Sequence, residues 1–167
     1  THRARVIVCD RHGELRALKQ ASGVDHVQHG RHAIGRAAAD FIFGGKQGLA
    51  QLFGQHSGNS YISSTVQLSD EREIVGKRIG VSIVHDSKTN DYIVKLVNML
   101  PVEAAVQVNL SGMGNFNPQA TQIVLTGKPG DRKSLPVISN ISVTENFTSH
   151  LPAYSFTLIR IKSDDIR

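Results

Sequence analysis

The chain of 167 residues has no tryptophan, a single cysteine and few aromatic residues of any kind. With Cys9 alone, no internal disulfide can form, so any fold must rest on its apolar core. No apolar run approaches the roughly 20 residues that cross a bilayer as a helix. The apolar run at residues 6–9 is also far too short for the core of a signal peptide, and Asp10 and Arg11 follow it at once. The formal charge is +5, and the excess lies near the start, where Arg3, Arg5, Arg11, Arg16, Arg31 and Arg36 fall. No aromatic side chain precedes Phe41, so this basic stretch offers bases no stacking platform. Neither nucleic acid nor membrane is expected as a partner.

Residues 1–48 hold no asparagine, proline or tyrosine, whereas all five prolines and all three tyrosines come later. Such a shift marks a change of structural regime. The expected division is 1–47, an N-terminal extension of unknown role, and 48–167, a β-domain. Within the extension, residues 3–9 can form a short strand. Residues 31–43 can form a helix, favoured by Ala37, Ala38 and Ala39 and stopped by Gly44 and Gly45. The extension is expected to pack on the β-domain and add little to its core.

The later part reads as β-structure. Ala104, Val106, Val108 and Leu110 alternate with Ala105, Gln107 and Asn109, which gives one apolar and one polar face. Further strands are expected over 63–68, 80–86, 91–100, 120–127, 140–145 and 154–162. Turn chemistry separates them at 86–90, 111–117 and 128–131. Short strands at such spacing make a sandwich or a barrel. Val81, Ile83, Val94, Leu96, Val106, Val108, Ile123, Leu125, Phe156 and Leu158 are the expected core. Residues 68–78, charged and poor in turn formers, read as an excursion between strands.

Three stretches carry a more specific signal: LFGQHSGNSYISSTVQLSDE at 52–71, RIGVSIVHDSKTNDYIVKLVNMLPVEAAVQVNLSG at 78–112, and LPAYSFTLIRIK at 151–162. Together, over about 48–162, they resemble the C-terminal region of α-L-arabinofuranosidases of glycoside hydrolase family 51. The resemblance implies a mainly β fold, an antiparallel jelly-roll-like β-sandwich. The extension before it, which the resemblance does not cover, has no fixed expectation beyond the short strand and the helix that its own residues allow. It implies a non-catalytic domain that packs on and stabilises a catalytic (β/α) barrel. The parent enzyme would release terminal arabinofuranosyl residues from arabinoxylan, arabinan or their oligosaccharides. Both catalytic glutamates of that family lie in the barrel, upstream of every matched residue, and the first 47 residues do not match the barrel's ending. The residues fix no compartment; for the parent, the expectation is the periplasm or the exterior of a bacterium.

Chemistry within the chain itself is sparse. Retaining glycoside hydrolysis needs two carboxyl groups about 5–5.5 Å apart, one of them held protonated. Asp70, Glu71, Glu73, Asp86, Asp91, Glu103, Asp131, Glu145, Asp164 and Asp165 fall in turns and charged stretches, which read as solvated surface. No catalytic residue, cofactor site or metal site is expected. His26, His29 and His32 repeat at helical spacing, but Gly23 and Gly30 disfavour a helix there. His85 and His150 read as exposed residues at turns. The segment GGKQG at 44–48 lacks the Gly-Lys-Ser/Thr ending of a phosphate loop. The alternative function is a free-standing carbohydrate-binding module, for which Tyr61, Tyr92 and Tyr154 are the candidate sugar contacts. Against it, Tyr154 and Phe156 stand two apart on one strand and read as core beside Leu158.

Overall fold

The computed structural model describes residues 3–9 and 65–68 as backbone, and residues 52, 54–64, 77–127 and 134–164 in full. The helix expected over 31–43, the excursion after Leu68 and the turn at 128–131 lie outside the described residues, as do His26, His29 and His32. Nine strands follow one another: β1 Arg3–Cys9, β2 Ser60–Leu68, β3 Ile79–Asp86, β4 Asp91–Asn98, β5 Ala104–Asn109, β6 Phe116–Thr126, β7 Val137–Ser142, β8 Asn146–Leu151 and β9 Ser155–Ser163. They hydrogen-bond in the order β7-β6-β9-β4-β3-β2-β1-β5-β8. Every pairing is antiparallel except that of β1 with β2.

The sheet folds into two layers because β2 changes partners along its length. Its first residues, Ser60–Ile62, pair with β3, and its remainder, from Ser63 onward, pairs with β1. A strand that passes from one layer to the next makes the corner of a sandwich. The first layer is thus β7, β6, β9, β4 and β3, and the second is β1, β5 and β8. Val81, Ile83, Val94, Leu96, Ile159 and Ile161 from the first layer meet Val106, Val108 and Leu151 from the second in one apolar cluster. All ten side chains expected in the core are buried.

Two features of the fold differ from the expectation. Residues 3–9 form the short strand expected of them, but they do more than pack on the domain: that strand lies inside the second layer, with β2 on one side and β5 on the other. The run of β-branched Val6, Ile7 and Val8 suits a strand, and two neighbouring edges supply partners for its backbone groups. Phe156 and Leu158, in turn, do not fill the space between the layers. They join Leu52, Ile93, Val97, Ile123 and Leu125 in a second apolar cluster on the opposite, outer face of the first layer. Consequently β4 is buried at every position, Asp91 to Asn98. Nor does Tyr154 share the strand geometry of Phe156. It stands before β9 with φ at 50°, its N–H bonded to the carbonyl of Leu100 and its carbonyl accepting from Gly127.

Candidate functional site

The polar residues of the first layer gather at one end of its outer face. Register puts them there. Asp91 opens β4 opposite Lys162 of β9, and Ile93 faces Arg160, so Asp91, Arg160 and Lys162 share a face with Ile93 and Lys95. The guanidinium of Arg160 is held at several points. Its Nε donates to Asp91 Oδ2 at 3.1 Å, and its Nη2 donates to that same oxygen and, at 3.2 Å, to Thr89 Oγ1. Lys162 Nζ stands 3.5 Å from Asp91 Oδ1 and donates to the carbonyl of Thr89. Arg160 Nη1 reaches His56 Nδ1 at 3.0 Å. A guanidinium only donates, so Nδ1 must accept and the imidazole is neutral, with its proton on Nε2. Burial, and then the charges of Arg160 and Lys95, hold the His56 pKa below the ordinary imidazole value. Burial likewise lowers the Lys95 ammonium below the usual lysine value.

The turn that presents Thr89 is fixed from both sides. Asn90 takes the left-handed conformation, φ 58°, which asparagine tolerates better than most residues. Its side chain donates to the carbonyl of Ser163, and its own carbonyl accepts from the Ser163 N–H. His85, at the end of β3 rather than in a turn, has Nε2 3.1 Å from Asn90 Oδ1 and packs its ring against Tyr92. On the other flank Asn59 bonds the backbone and the side chain of Ser87.

Asp86 and Asp91 are directly opposed across the β3–β4 hairpin, as the nearest approach to a carboxylate pair that register makes evident among the described residues. Both are occupied as acceptors. The backbone N–H of Lys88 donates to Asp86 Oδ1. That bond, with lesser help from Thr89 and the Arg160 charge, keeps the Asp86 carboxyl below its ordinary value. Asp91 is buried and engaged by Arg160 and Lys162, unlike the solvated turn residue expected. Glu103 is exposed and meets the equally exposed His150 of β8. Asp70, Glu71, Glu73, Asp131 and Asp165 lie outside the described residues. Among the described residues, no group of three or more His, Cys, Asp or Glu side chains converges as a metal site would require.

The three tyrosines are not brought together. Tyr92 is buried between the layers, where its hydroxyl donates to the carbonyl of Met113. Tyr61 is exposed and lies opposite Val84, near the hairpin end of β3. Tyr154 precedes Ser155, whose partner Asn98 closes the far end of β4. The cluster around Arg160 carries no sequence signal of its own. His56, Asp91 and Arg160 are far apart in the chain and belong to no spaced motif.

No protein-family model matches the chain, and no curated protein matches it. Solved structures do. An arabinose-bound α-L-arabinofuranosidase, MgGH51, is similar over 52% of this chain and 15% of its own, with 23% identity and a TM-score of 0.46. The thermostable GH51 α-L-arabinofuranosidase of Thermotoga petrophila RKU-1 is similar over 51% of this chain and 19% of its own, with 15% identity and a TM-score of 0.44. A GH30 endoxylanase of Clostridium papyrosolvens C71 is similar over 52% of this chain and 20% of its own, with 22% identity and a TM-score of 0.41. The likeness thus spans about half of this chain and a fifth or less of each of these enzymes.

Proposed function

We propose that this chain is the non-catalytic C-terminal β-sandwich of an α-L-arabinofuranosidase, packing on and stabilising a catalytic barrel. One observation carries the reading. The stretches that resemble the arabinofuranosidase C-terminal region include DYIVKLVN, which is β4, and SFTLIRIK, which is all of β9 but its last residue, and the two pair along their full length within the first layer. The residues behind the resemblance are thus the ones that build the domain. Two further facts support it. The opposed carboxylates Asp86 and Asp91 are engaged as acceptors, where a glycosidase needs one carboxyl held protonated. The strand β7, at one end of the sheet, leaves Val137 and Ile138 exposed, with Leu135 just before it. Val137 and Ile138 point to opposite faces of this outermost strand, so its edge is apolar on both sides, which suits an edge that another domain covers.

The test is turnover of a chromogenic α-L-arabinofuranoside by the purified chain, with Asp86→Asn and Asp91→Asn in parallel. No turnover is expected. Turnover abolished by either substitution overturns the non-catalytic reading. For the packing itself, an arabinofuranosidase barrel expressed without its own sandwich should gain thermal stability when this chain is added. The gain should shrink for Ile138→Asp; an unchanged barrel Tm counts against the docking role.

A further inference from the structure

We propose that β7 is a docking edge for a second copy of this chain, the two β7 strands pairing antiparallel about a two-fold axis. At the end of the sheet order, β7 has β6 as its one neighbour among the described strands. Residues 137–140 and Ser142 are exposed. The direction of the strand's free backbone groups follows from one bond. The N–H of Val143 donates to the carbonyl of Pro118 at 2.8 Å, in register with the β6–β7 pairs. Bonded and unbonded pairs alternate along an antiparallel ladder. Ile141, Ser139 and Val137 therefore turn their backbone groups toward β6, and Ile138, Asn140 and Ser142 turn theirs outward. The N–H and carbonyl groups of these last residues line the open edge.

A second copy answers this edge at every position. A two-fold axis through Asn140 sets Asn140 opposite itself and Ile138 opposite Ser142 of the second copy, so each outward backbone group meets a partner. The Asn140 amide both donates and accepts, so it can bond to its own copy across the axis. A charged side chain could not, because the axis brings it to its like, and residues 134–144 carry no charge. Natural edge strands are commonly blunted by lysine, proline or a bulge. β7 has none of these, and its pairing with β6 runs without a break in register. β8, at the other end of the sheet order, is guarded: Glu145 precedes it, and its His150 meets Glu103. One short strand is a small contact beside the roughly 1,200–2,000 Å² of a stable interface, so the dimer forms at high concentration and dissociates on dilution. The pairing does not rest on the arabinofuranosidase reading; a barrel that covers the same edge and a second copy exclude one another.

Sedimentation equilibrium of the whole chain over a wide range of concentration, with Cys9 kept reduced, tests this. The average mass should rise from that of one chain toward that of two. Asn140→Lys sets two cations together at the axis and should hold the mass at that of one chain. Thr148→Lys, at an exposed position of β8, should associate as the wild type does. A wild type that stays monomeric at every concentration overturns the proposal. So does association that survives Asn140→Lys or is lost in Thr148→Lys. Should a lysine variant not fold, cross-linking decides. Across the axis the Cα atoms of residue 140 in the two copies stand about 5.5 Å apart, within reach of a disulfide. Ile138, by contrast, is four positions away from its own copy. On a Cys9→Ser background, oxidation should join Asn140→Cys chains into dimers and leave Ile138→Cys chains single. Any other pattern overturns the pairing.

Discussion

The hydroxyl of Tyr92 donates to the carbonyl of Met113 at 2.6 Å, inside the cluster between the layers. This bond ties the centre of the first layer to the β5–β6 loop, whose Met113 is fully buried. Tyr92→Phe keeps the ring but leaves a buried carbonyl without its donor, which costs about 1–3 kcal/mol. Urea unfolding should show a lowered midpoint with an unchanged slope. A midpoint equal to that of the wild type would mean that the bond contributes nothing.

Asn98 closes the opposite end of β4. It is fully buried, and its Nδ2 lies within bonding reach of the carbonyls of Val102, Leu151 and Pro152, while its Oδ1 accepts from the Leu100 N–H. Two amide hydrogens serve three carbonyls, so one bond is shared. Asn98→Ala strands several buried backbone groups at once and should cost about 2–4 kcal/mol. The isosteric Asn98→Asp should also destabilise, because a carboxylate cannot donate to those carbonyls. If Asp is tolerated as well as Asn in a thermal melt, the donor role assigned to Nδ2 is wrong.

Much of this fold was legible from alternation and turns, and the exceptions are physical. The pattern of Ala104 to Leu110 gave the burial of β5 directly. In β8, NFTSHL has no such pattern. It becomes a strand because β5 offers it a paired edge and because Ser149 and Leu151 find burial there. The outer-face cluster was missed for a different reason. Period-2 reasoning assigns one apolar face to a strand, whereas β4 is buried on both. Lys95 in the middle of that strand disguised its second face as a polar one. The Arg160 cluster was not legible at all, since it depends on strand register and on a turn 104 residues earlier.

Gly58 is required by two independent constraints. Its φ is +62°, and a Cβ added there would lie 2.7 Å from Cγ2 of Val84 and 2.9 Å from its Cβ. Gly58→Ala should therefore lose about 1–2 kcal/mol from the left-handed backbone alone and more from the collision. In a double-mutant cycle Val84→Ala should recover only part of the loss, because it removes the Cγ2 contact but neither the contact with the Val84 Cβ nor the backbone strain. Full recovery would show that neither the backbone conformation nor the remaining Cβ contact costs anything; no recovery would show that the Cγ2 contact costs nothing.

Placement of the tyrosines bears on polysaccharide binding. Tyr61 and Tyr154 sit toward opposite ends of the first layer, and Tyr92 is inside. A sugar platform needs exposed rings side by side. Native gels containing arabinan or arabinoxylan should not retard the chain, and Tyr61→Ala and Tyr154→Ala should migrate as the wild type does. Retardation that either substitution abolishes would favour a carbohydrate-binding module.

Lys95 gives the clearest alkaline signature. Burial lowers its pKa below the ordinary 10.5. The sign follows from proton counting. Between the lowered folded value and 10.5 the unfolded chain binds the proton that the folded chain has released. Stability therefore rises with pH through that window on account of this group, and the rise ends once both states are neutral. Other lysines and tyrosines titrate in the same range, so the wild type alone cannot isolate the effect. Lys95→Met keeps the length of the side chain and removes the charge, and nothing at that position can then titrate. The gap in unfolding free energy between Lys95→Met and the wild type should narrow, in the wild type's favour, as pH rises from 7 toward 10.5. A gap that stays constant would mean that the Lys95 ammonium is as well accommodated in the fold as in water.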